Sequence, residues 1–447
     1  MPKNVGDADD GEHGGGGDAD DSAGGEDGVA ASLLLDKVAA PNAIVDFLLK
    51  HKCFKDLARL SIVCAELHTA VAVRGDVGER LFKFMQQLCA KNWQAMSLHG
   101  ESHVAIVDNG KLKTSGMGPD GQLGRSLSLG YQRMPHVAPI DPQHTIVAVA
   151  TGERHTTVLT DDGNVFACGS DDDGQLGFYC GTSINYLKRV EALNGKRIVH
   201  IASQENSAAA ISYTGATYIW GAVLKEPRRA LHDDDAEGNP ASPVHPLPAL
   251  QEALPAAVQV SVTDNAVAIV TQDGAVWEHS AVRRMCYSGA RVWRQFWWGR
   301  RGTNAVRVAL TVYGAMAILT RAGEVYARPD CAVKHRLTLV KLPHPAQKLV
   351  AGDNHFVVLL MSGDVFGWGN NINGQLGRND ARCKTYPVCI ATADVQATDV
   401  TAGFMRTGIV TEKGVCACGK GLLMHRPPIR DLTPPRPGKN WPLTGTW

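Results

Sequence analysis

The stretch "TGERHTTVLTDDGNVFACGSDDDGQLG", residues 151–177, decides the fold because a second copy of it begins 200 residues later. The second copy, "AGDNHFVVLLMSGDVFGWGNNINGQLG" at 351–377, aligns with the first without a gap. A third copy, "HGESHVAIVDNGKLKTSGMGPDGQLG" at 99–124, keeps the same order with one residue missing. All three share Gly-x-x-His and Gly-Gln-Leu-Gly, so the chain is built from an internal repeat.

Four weaker copies appear when the glycine of the central turn is used to align them. They occupy residues 201–221, 260–280, 309–329 and 400–419. The seven turn glycines are Gly110, Gly163, Gly215, Gly274, Gly323, Gly363 and Gly414. They lie 40 to 59 residues apart, which suits units of four strands. The sequence therefore predicts seven units.

Each unit contains an apolar run, a polar turn with glycine and a second apolar run, as in "TVLT-DDG-NVFACG". This pattern predicts a β-hairpin. The small residues of the first run favour an inner strand near a central axis, with bulkier aromatic residues on the next strand. A single four-stranded sheet cannot bury both of its faces, so the units must stack. We expect an all-β seven-bladed β-propeller over residues 94–425.

The repeats resemble those of the regulator of chromosome condensation family. "VATGERHTTVL" (149–159) and "VAGDNHFVVL" (350–359) fit the signature of that family, and "WGNNINGQLG" (368–377) fits its second hallmark. The resemblance implies a seven-bladed propeller of this type over approximately residues 95–425. Repeats three to five depart from the pattern, because Ser207, Ala266 and Ala315 replace the histidine and Gly-Gln-Leu-Gly is absent. We expect blades four and five to be irregular.

The repeated histidines, His103, His155 and His355, invite a metal or acid–base interpretation because histidine titrates near neutral pH. They occupy one position in different blades, however, and would lie spread around a ring. We expect them to form hydrogen bonds between neighbouring blades.

The polar loop of the sixth repeat has the same explanation. Asn370, Asn373 and Gln375 are expected to satisfy backbone groups within the loop. Trp220 and Trp368 share a position that Cys168 and Cys418 fill in other repeats, which favours a packing role.

No pattern in the chain points to chemistry. Cys416 and Cys418 face one side of a strand, but no second pair stands at a zinc-like spacing. No glycine-rich phosphate loop precedes a helix, and no nucleophile elbow is present. We expect no catalytic residue, no cofactor and no metal, and therefore not an enzyme.

Composition and charge separate the ends of the chain from its middle. Residues 1–28 carry nine acids and one lysine in a chain of zero net charge, so that segment is at −8 and the remainder at +8. Residues 1–32 are expected to be a disordered acidic Gly-rich tail, and residues 426–447 a Pro-rich C-terminal tail. The sequence shows neither a secretory signal nor a membrane-length apolar run. Eleven scattered cysteines suit free thiols in the cytosol or nucleus.

Residues 33–93 show helical rather than strand-like spacing. The segment "APNAIVDFLLKHKCFKDLARLSIVCAEL" (40–67) resembles an F-box, with a proline opening the first helix and Lys-Asp-Leu-x-x-Leu opening the second. It has Lys52-Cys53-Phe54 where the family has Leu-Asp before the second helix. The alternative is an unrelated helical module that caps the propeller.

The F-box resemblance implies an apolar face that packs into the adaptor subunit of a cullin-RING ubiquitin ligase. The residues of that face are Pro41, Ile44, Leu48, Leu49, Leu57, Leu60 and Val63. The propeller would then hold an unknown protein substrate.

Two irregular segments are further candidates for partner binding. Residues 224–250 form a Pro-rich polar insertion that is expected to be a surface loop. Residues 283–302 interleave arginine with aromatic residues, and the candidate partner-binding residues are Arg284, Arg291, Trp293, Arg294, Trp297 and Trp298. Outer-strand packing of blade four and a protein interface are both favoured here over nucleic acid.

Three functional hypotheses follow. The first is a non-catalytic substrate receptor, in which F-box-like helices bind the ligase adaptor and the propeller binds substrate. The second is a guanine-nucleotide exchange factor for a Ran-type small GTPase, against which the acidic tail argues. The third is a propeller scaffold in a larger assembly. None of them requires a membrane.

Overall fold

The structure is a computed structural model, and its strands form a seven-bladed ring. The residues it describes are 96–98, 103–125, 132–178, 180, 182–224, 247–252, 254–280, 293–297, 304–328, 337–378, 380–395, 397–411 and 414–419. Within them, twenty-seven strands make seven antiparallel sheets, six of four strands and one of three. The expected all-β seven-bladed propeller is confirmed. Segment 33–93, which is expected to be helical, and both tails lie outside the described residues.

The first three blades are formed in chain order. Blade 1 contains β1 (Met96–Ser97), β2 (His103–Asp108), β3 (Lys111–Gly116) and β4 (Gln132–Val137). Blade 2 contains β5 (Ile146–Thr151), β6 (His155–Thr160), β7 (Val165–Gly169) and β8 (Ile184–Arg189). Blade 3 contains β9 (Ile198–Gln204), β10 (Ser207–Ser212), β11 (Thr217–Gly221) and β12 (Ala249–Leu250).

The remaining blades follow the same order. Blade 4 contains β13 (Ala257–Val262), β14 (Ala266–Thr271), β15 (Val276–Ser280) and β16 (Arg294–Trp297). Blade 5 contains β17 (Ala305–Leu310), β18 (Met316–Thr320), β19 (Val325–Arg328) and β20 (Thr338–Val340). Blade 6 contains β21 (Ala346–Ala351), β22 (His355–Leu360), β23 (Val365–Gly369) and β24 (Lys384–Ala391). Blade 7 contains β25 (Ala397–Gly403), β26 (Arg406–Thr411) and β27 (Gly414–Gly419).

The repeated hairpin occupies the second and third strands of each blade. In blade 2 the turn between β6 and β7 places Gly163 at φ +80°, and its N–H donates to the Thr160 carbonyl at 3.0 Å. Glycine tolerates this left-handed conformation, which explains the aligned turn glycines. The strand nearest the axis is the one before the hairpin. The sequence analysis assigned that place to the first strand of the hairpin, which is the second strand of the blade.

The core lies between the blades. A buried cluster joins Leu319 and Val325 of blade 5 to Phe356 and Trp368 of blade 6, whose rings stack with centroids 5.2 Å apart. Burying side chains of this size stabilises the fold by roughly 1.5–3 kcal/mol each. The packing roles expected of Trp220 and Trp368 are confirmed, since both are buried.

The ring closes by packing between blades 1 and 7. The buried side chains of Met96 and Leu98 pack against the partly buried Val410 and Val415. Gly408 permits this approach, because a Cβ there would lie 2.6 Å from Leu98 Cδ1.

Blades 4 and 5 both have four strands in the regular order, and their outer strands are short, with four and three residues. The insertion at 224–250 is more than a surface loop, because its last residues, Ala249–Leu250, pair with β11 as the outer strand of blade 3.

Candidate functional site

The repeated histidines join neighbouring blades. His103 of blade 1 and His355 of blade 6 are fully buried, and each Nε2 lies within hydrogen-bond distance of a threonine hydroxyl on the next blade. The distances are 3.2 Å to Thr156 and 2.9 Å to Thr407. The expected structural role is confirmed for these two histidines.

Each threonine hydroxyl also bonds to a loop carbonyl of the blade that carries the histidine. The Thr156 hydroxyl donates to the Gln122 carbonyl at 2.8 Å, and the Thr407 hydroxyl donates to the Gln375 carbonyl at 2.8 Å. The seam between blades 2 and 3 has Ala208 in place of the threonine. There the indole N–H of Trp220 donates to the Gln175 carbonyl at 2.9 Å instead.

The Gly-Gln-Leu-Gly loops satisfy their own backbone. The Ile372 N–H donates to Asn370 Oδ1 at 2.8 Å, and the Asn373 N–H donates to Gln375 Oε1 at 3.0 Å. Gln122 and Gln175 accept equivalent bonds in blades 1 and 2. The structural explanation is confirmed for Asn370 and Gln375, whereas the Asn373 side chain donates from Nδ2 to Met405 Sδ of blade 7 at 2.9 Å. A binding surface therefore has to be sought elsewhere.

Four carboxylates lie on the loops that join the innermost strand to the second strand, at one end of the central channel. We name this group the acidic rim: Glu153 of blade 2, Glu205 of blade 3, Asp264 of blade 4 and Asp353 of blade 6. The Glu153 N–H donates to the Glu205 carbonyl at 2.8 Å, and the Asp264 N–H donates to Glu205 Oε2 at 3.1 Å. Neighbouring loops are therefore tied directly to one another.

The blade 5 loop completes the arc between Asp264 and Asp353. The Val312 N–H donates to the Asp353 carbonyl at 3.1 Å, and Asn265 Nδ2 donates to the Val312 carbonyl at 3.3 Å. Beside Val312, Tyr313 is 68% exposed. An exposed tyrosine beside carboxylates is typical of a protein-binding surface.

The other carboxylates of the rim act on the pKa of Glu205. Burial, followed by the charge of Asp264, raises the pKa of Glu205 to about 8, and Asp353 and Glu153 act in the same direction. Burial also raises the pKa of Asp264, partly offset by the Ser207 hydroxyl at 2.6 Å and by the Asn206 N–H. At neutral pH Glu205 is therefore mainly protonated, and a cation at the rim would favour its ionised form.

A repeated sequence signal could have revealed the rim. The acid stands two residues before the histidine position in repeats two, three, four and six, and Tyr313 and Phe404 fill the same place in repeats five and seven. The first repeat has Glu101 there, outside the described residues. Sequence reasoning missed this position because it attended to the histidine itself.

The structure describes part of the Arg/Trp segment. Arg294 lies exposed on β16, and Trp297 packs against Tyr326 of blade 5 with ring centroids 5.0 Å apart. Trp293 donates its indole N–H to Gln251 Oε1 at 3.2 Å and lies 5.1 Å from the His279 ring. These contacts are those of an outer strand, while Arg284, Arg291 and Trp298 lie outside the described residues. Their role in partner binding stays a prediction.

The adaptor-binding residues expected from the F-box resemblance, Pro41 to Val63, also lie outside the described residues. In the part of the chain that the structure describes, no group of three or more His, Cys, Asp or Glu side chains could hold a metal ion. Helices long and apolar enough to cross a membrane are also absent from that part.

Comparison with known proteins agrees with the architecture. A family model described as regulator of chromosome condensation (RCC1) repeat matches residues 146–175 and 346–375. A second model of the same description matches 162–211 and 362–409.

Individual relatives match over different lengths. The E3 ubiquitin-protein ligase HERC2 of Mus musculus is 34% identical over 154 residues, which is 34% of this chain and 3% of HERC2. The secretion-regulating guanine nucleotide exchange factor of Bos taurus is 28% identical over 62% of this chain and 52% of its own length. The chain thus spans a small part of HERC2 and about half of the exchange factor.

Among solved structures, Prp20p of Saccharomyces cerevisiae superposes with a TM-score of 0.57 at 18% identity. The match covers 69% of this chain and 80% of Prp20p, whose structure was described together with its binding to Gsp1p and histones. At this identity the likeness concerns the fold.

Proposed function

Because the chain belongs to the RCC1-repeat propellers, we propose that it is a non-catalytic protein-interaction protein whose acidic rim binds a basic segment of a partner. The observation that carries this proposal is the arc of four carboxylates beside the exposed Tyr313. Opposite charge steers a partner to such a surface, and an aromatic side chain supplies contact area. A basic partner would also favour the ionised form of Glu205, whose pKa is raised by burial and then by the neighbouring carboxylates.

The finer proposal is that the chain is the substrate receptor of a cullin-RING ubiquitin ligase in the cytosol or nucleus. The helical segment at 33–93 would bind the ligase adaptor through its apolar face, and the propeller would hold the substrate. All chemistry would then be supplied by the bound conjugating enzyme. Support comes from the F-box-like sequence pattern and from the rim as a substrate-docking surface.

Co-purification tests the adaptor half of this proposal. Replacing Leu57, Leu60 and Val63 with Asp should abolish recovery of the ligase adaptor with the full-length chain, because charged side chains cannot pack into an apolar groove. The control is Leu339→Asp, since Leu339 is a 53% exposed residue on the outer strand of blade 5. Failure of the wild-type chain to recover the adaptor would contradict the receptor proposal while leaving the rim proposal open.

A guanine-nucleotide exchange factor for a Ran-type GTPase is the second candidate. It is favoured by the similarity to the Bos taurus exchange factor over 62% of this chain. The test is release of a fluorescent nucleotide from a Ran-type GTPase with and without the full-length chain. If the wild type accelerates nucleotide release and Tyr313→Ala does not, the exchange-factor function would replace the receptor proposal. An unchanged release rate with the wild type would eliminate the exchange-factor function.

A further inference from the structure

Two kinds of loop lie at the same end of the propeller. Successive strands of a blade run antiparallel, so the loop from the first to the second strand and the loop from the third to the fourth strand share one end. Hydrogen bonds join the two kinds of loop on neighbouring blades. Gln175 Nε2 donates to Asn206 Oδ1 at 3.4 Å, and Asn373 Nδ2 donates to Met405 Sδ at 2.9 Å. We name this end the loop face, and the acidic rim belongs to it.

Blades 2 to 4 make one side of the loop face acidic. Asp172 and Asp173 lie on the loop between the third and fourth strands of blade 2 and add to the rim carboxylates of these blades. The Asp172 side chain is 66% exposed and pairs with Arg154 at 3.5 Å. Burial raises the pKa of Asp264, and the charge of Asp173 acts in the same direction. Asp172 and Asp173 therefore extend the negative charge of the rim beyond the innermost loops.

Blades 5 to 7 make the other side of the loop face apolar. Ile372 stands at the position that Asp172 holds in blade 2, and it is 61% exposed. Tyr313 of blade 5 is 68% exposed, and Phe404 and Met405 of blade 7 are partly buried. We name Tyr313, Ile372, Phe404 and Met405 the apolar sector.

Hydrogen bonds between loops connect the apolar sector. The Val312 N–H donates to the Asp353 carbonyl at 3.1 Å, and the Asn370 N–H donates to the Asn354 carbonyl at 2.8 Å. The two exposed members of the sector therefore lie on loops that are both bonded to this turn. Asp353 is only 8% exposed, so it adds little charge to the surface. An exposed apolar surface beside acids is complementary to a segment that carries both apolar and basic residues.

The last described strand ends beside the apolar sector. Gly419, the final residue of β27, pairs with Arg406, and a Cβ on Gly419 would lie 2.0 Å from the Met405 carbonyl oxygen. Since β27 is the third strand of its blade, the residues that follow leave it on the loop face.

The sequence after Gly419 combines apolar and basic residues. Apolar residues come first and cations follow: Leu422, Leu423, Met424, Arg426, Arg430, Arg436 and Lys439. Residues 420–447 contain five Lys or Arg and one Asp. Packed sheets lie about 10 Å apart, so blade 2 is roughly 20 Å from blade 7 in the closed ring. Arg426 is seven residues beyond Gly419 and reaches roughly 23 Å when the chain is extended. The cations can therefore reach the acids of blade 2.

We propose that residues 420–439 fold back onto the loop face and occupy the surface on which the acidic rim binds its partner. Leu422–Met424 pack on the apolar sector, and Arg426 and Arg430 pair with the acids of blade 2. The inference rests on the proposed function, because it makes this segment a competitor of the basic partner. A partner binds only the fraction of molecules whose surface is open, so the segment lowers its apparent affinity.

A synthetic peptide of residues 420–440 labelled with fluorescein tests the proposal by fluorescence anisotropy with the full-length chain. A tail variant with Arg426→Glu and Arg430→Glu repels its own segment from the acids. We expect saturable binding to the tail variant and at least roughly tenfold weaker binding to the wild type, whose attached segment competes at an effective concentration of about 1 mM. The control combines Lys196→Glu with Arg321→Glu, two exposed cations at the opposite end of the propeller. It should bind the peptide as weakly as the wild type.

A second pair of variants locates the bound peptide. Added to the tail variant, Ile372→Asp should weaken binding at least roughly tenfold, because a charge replaces an apolar contact. Met361→Asp should not, since Met361 is 64% exposed in the turn between β22 and β23, at the opposite end of the same blade. The proposal would be overturned by no binding to the tail variant or by equal binding to the tail variant and the wild type. Binding that Ile372→Asp leaves unchanged would place the segment elsewhere, such as the edge of β27, and would also overturn it.

Failure of this inference and failure of the proposed function give different results. If Glu153→Lys with Tyr313→Ala loses protein partners while the peptide does not bind, the rim remains a partner surface and only the self-docking is wrong. If the peptide binds as expected while that variant keeps every partner, the segment docks but the rim is not the partner surface.

Discussion

Glu205 couples the acidic rim to the stability of the propeller. Its pKa of about 8 in the folded chain compares with an ordinary value of 4.5, so the folded state keeps a proton that the unfolded state releases. The free energy of unfolding should therefore be fully supported below about pH 4.5 and fall as the pH rises to about 8.

Glu205→Gln should remove this loss. The amide has no ionisable proton, and its oxygen can still accept from the Asp264 N–H. We expect the free energy of unfolding of the variant to rise relative to that of the wild type between pH 5 and 8, on the order of 1 kcal/mol per pH unit. Urea unfolding at each pH measures this difference. The control is Glu252→Gln, at an exposed site. A constant difference between variant and wild type across this range would contradict the protonation of Glu205.

Thr156 is the second residue whose removal is informative. Its hydroxyl joins His103 Nε2 to the Gln122 carbonyl in the seam between blades 1 and 2. Thr156→Val keeps the shape but leaves two buried polar groups without this partner, which should cost about 1–3 kcal/mol in urea unfolding. Thr398→Val, on an exposed strand position, should cost less. Equal stability of the two variants would show that the seam does not rely on this hydroxyl.

At the scale of the element, the turn before the second strand of blade 6 depends on close approach between blades. A Cβ on Gly352 would lie 2.3 Å from the Gly403 carbonyl oxygen and 2.4 Å from His355 Cε1. Gly374 of the same blade has open space around it but a φ of +77°. The two glycines therefore separate the effect of steric crowding from that of backbone strain.

Gly352→Ala should destabilise the chain more than Gly374→Ala. The second change costs only the strain of a left-handed residue, roughly 1–2 kcal/mol, whereas the first forces blades 6 and 7 apart. Thermal unfolding of both variants measures the difference. A lower Tm for Gly374→Ala than for Gly352→Ala would contradict the close packing of this seam.

The hairpins were predictable because they combine alternation, a turn glycine and repetition, as residues 155–169 show. Ala249–Leu250 was not predictable as a strand, because two residues after a Pro-rich insertion carry no periodicity. The β-bulges in the innermost strands of blades 2 to 7 could not be predicted from the sequence either. Each bulge shifts the alternation of the innermost strand by one residue, so the sequence does not indicate which side chain is buried.

The acidic rim and the central cavity lined by His200 and Arg307 form only in the closed ring, so the sequence indicates them poorly. His200 and Arg307 lie more than 100 residues apart and line one cavity only because the ring closes. Glu153 and Asp353 meet the same rim for the same reason. The repeat predicts that equivalent positions encircle an axis, but the charges that result depend on which residue each copy places there.

For the whole molecule, the central claim is that the acidic rim is the surface on which a protein partner binds. A rim variant that combines Glu153→Lys with Tyr313→Ala changes charge and contact area at partly or largely exposed positions. Its matched control combines Glu252→Lys with Tyr386→Ala, where Tyr386 is 63% exposed on the outer strand of blade 6. Both variants should fold as the wild type does.

The most direct test is quantitative affinity purification of the full-length wild type, the rim variant and its control, with bound proteins measured by mass spectrometry. We predict that proteins recovered with the wild type and the control are lost from the rim variant, while any protein bound through residues 33–93 stays. Retention of the same partners at equal abundance by the rim variant would contradict the claim that the rim binds them.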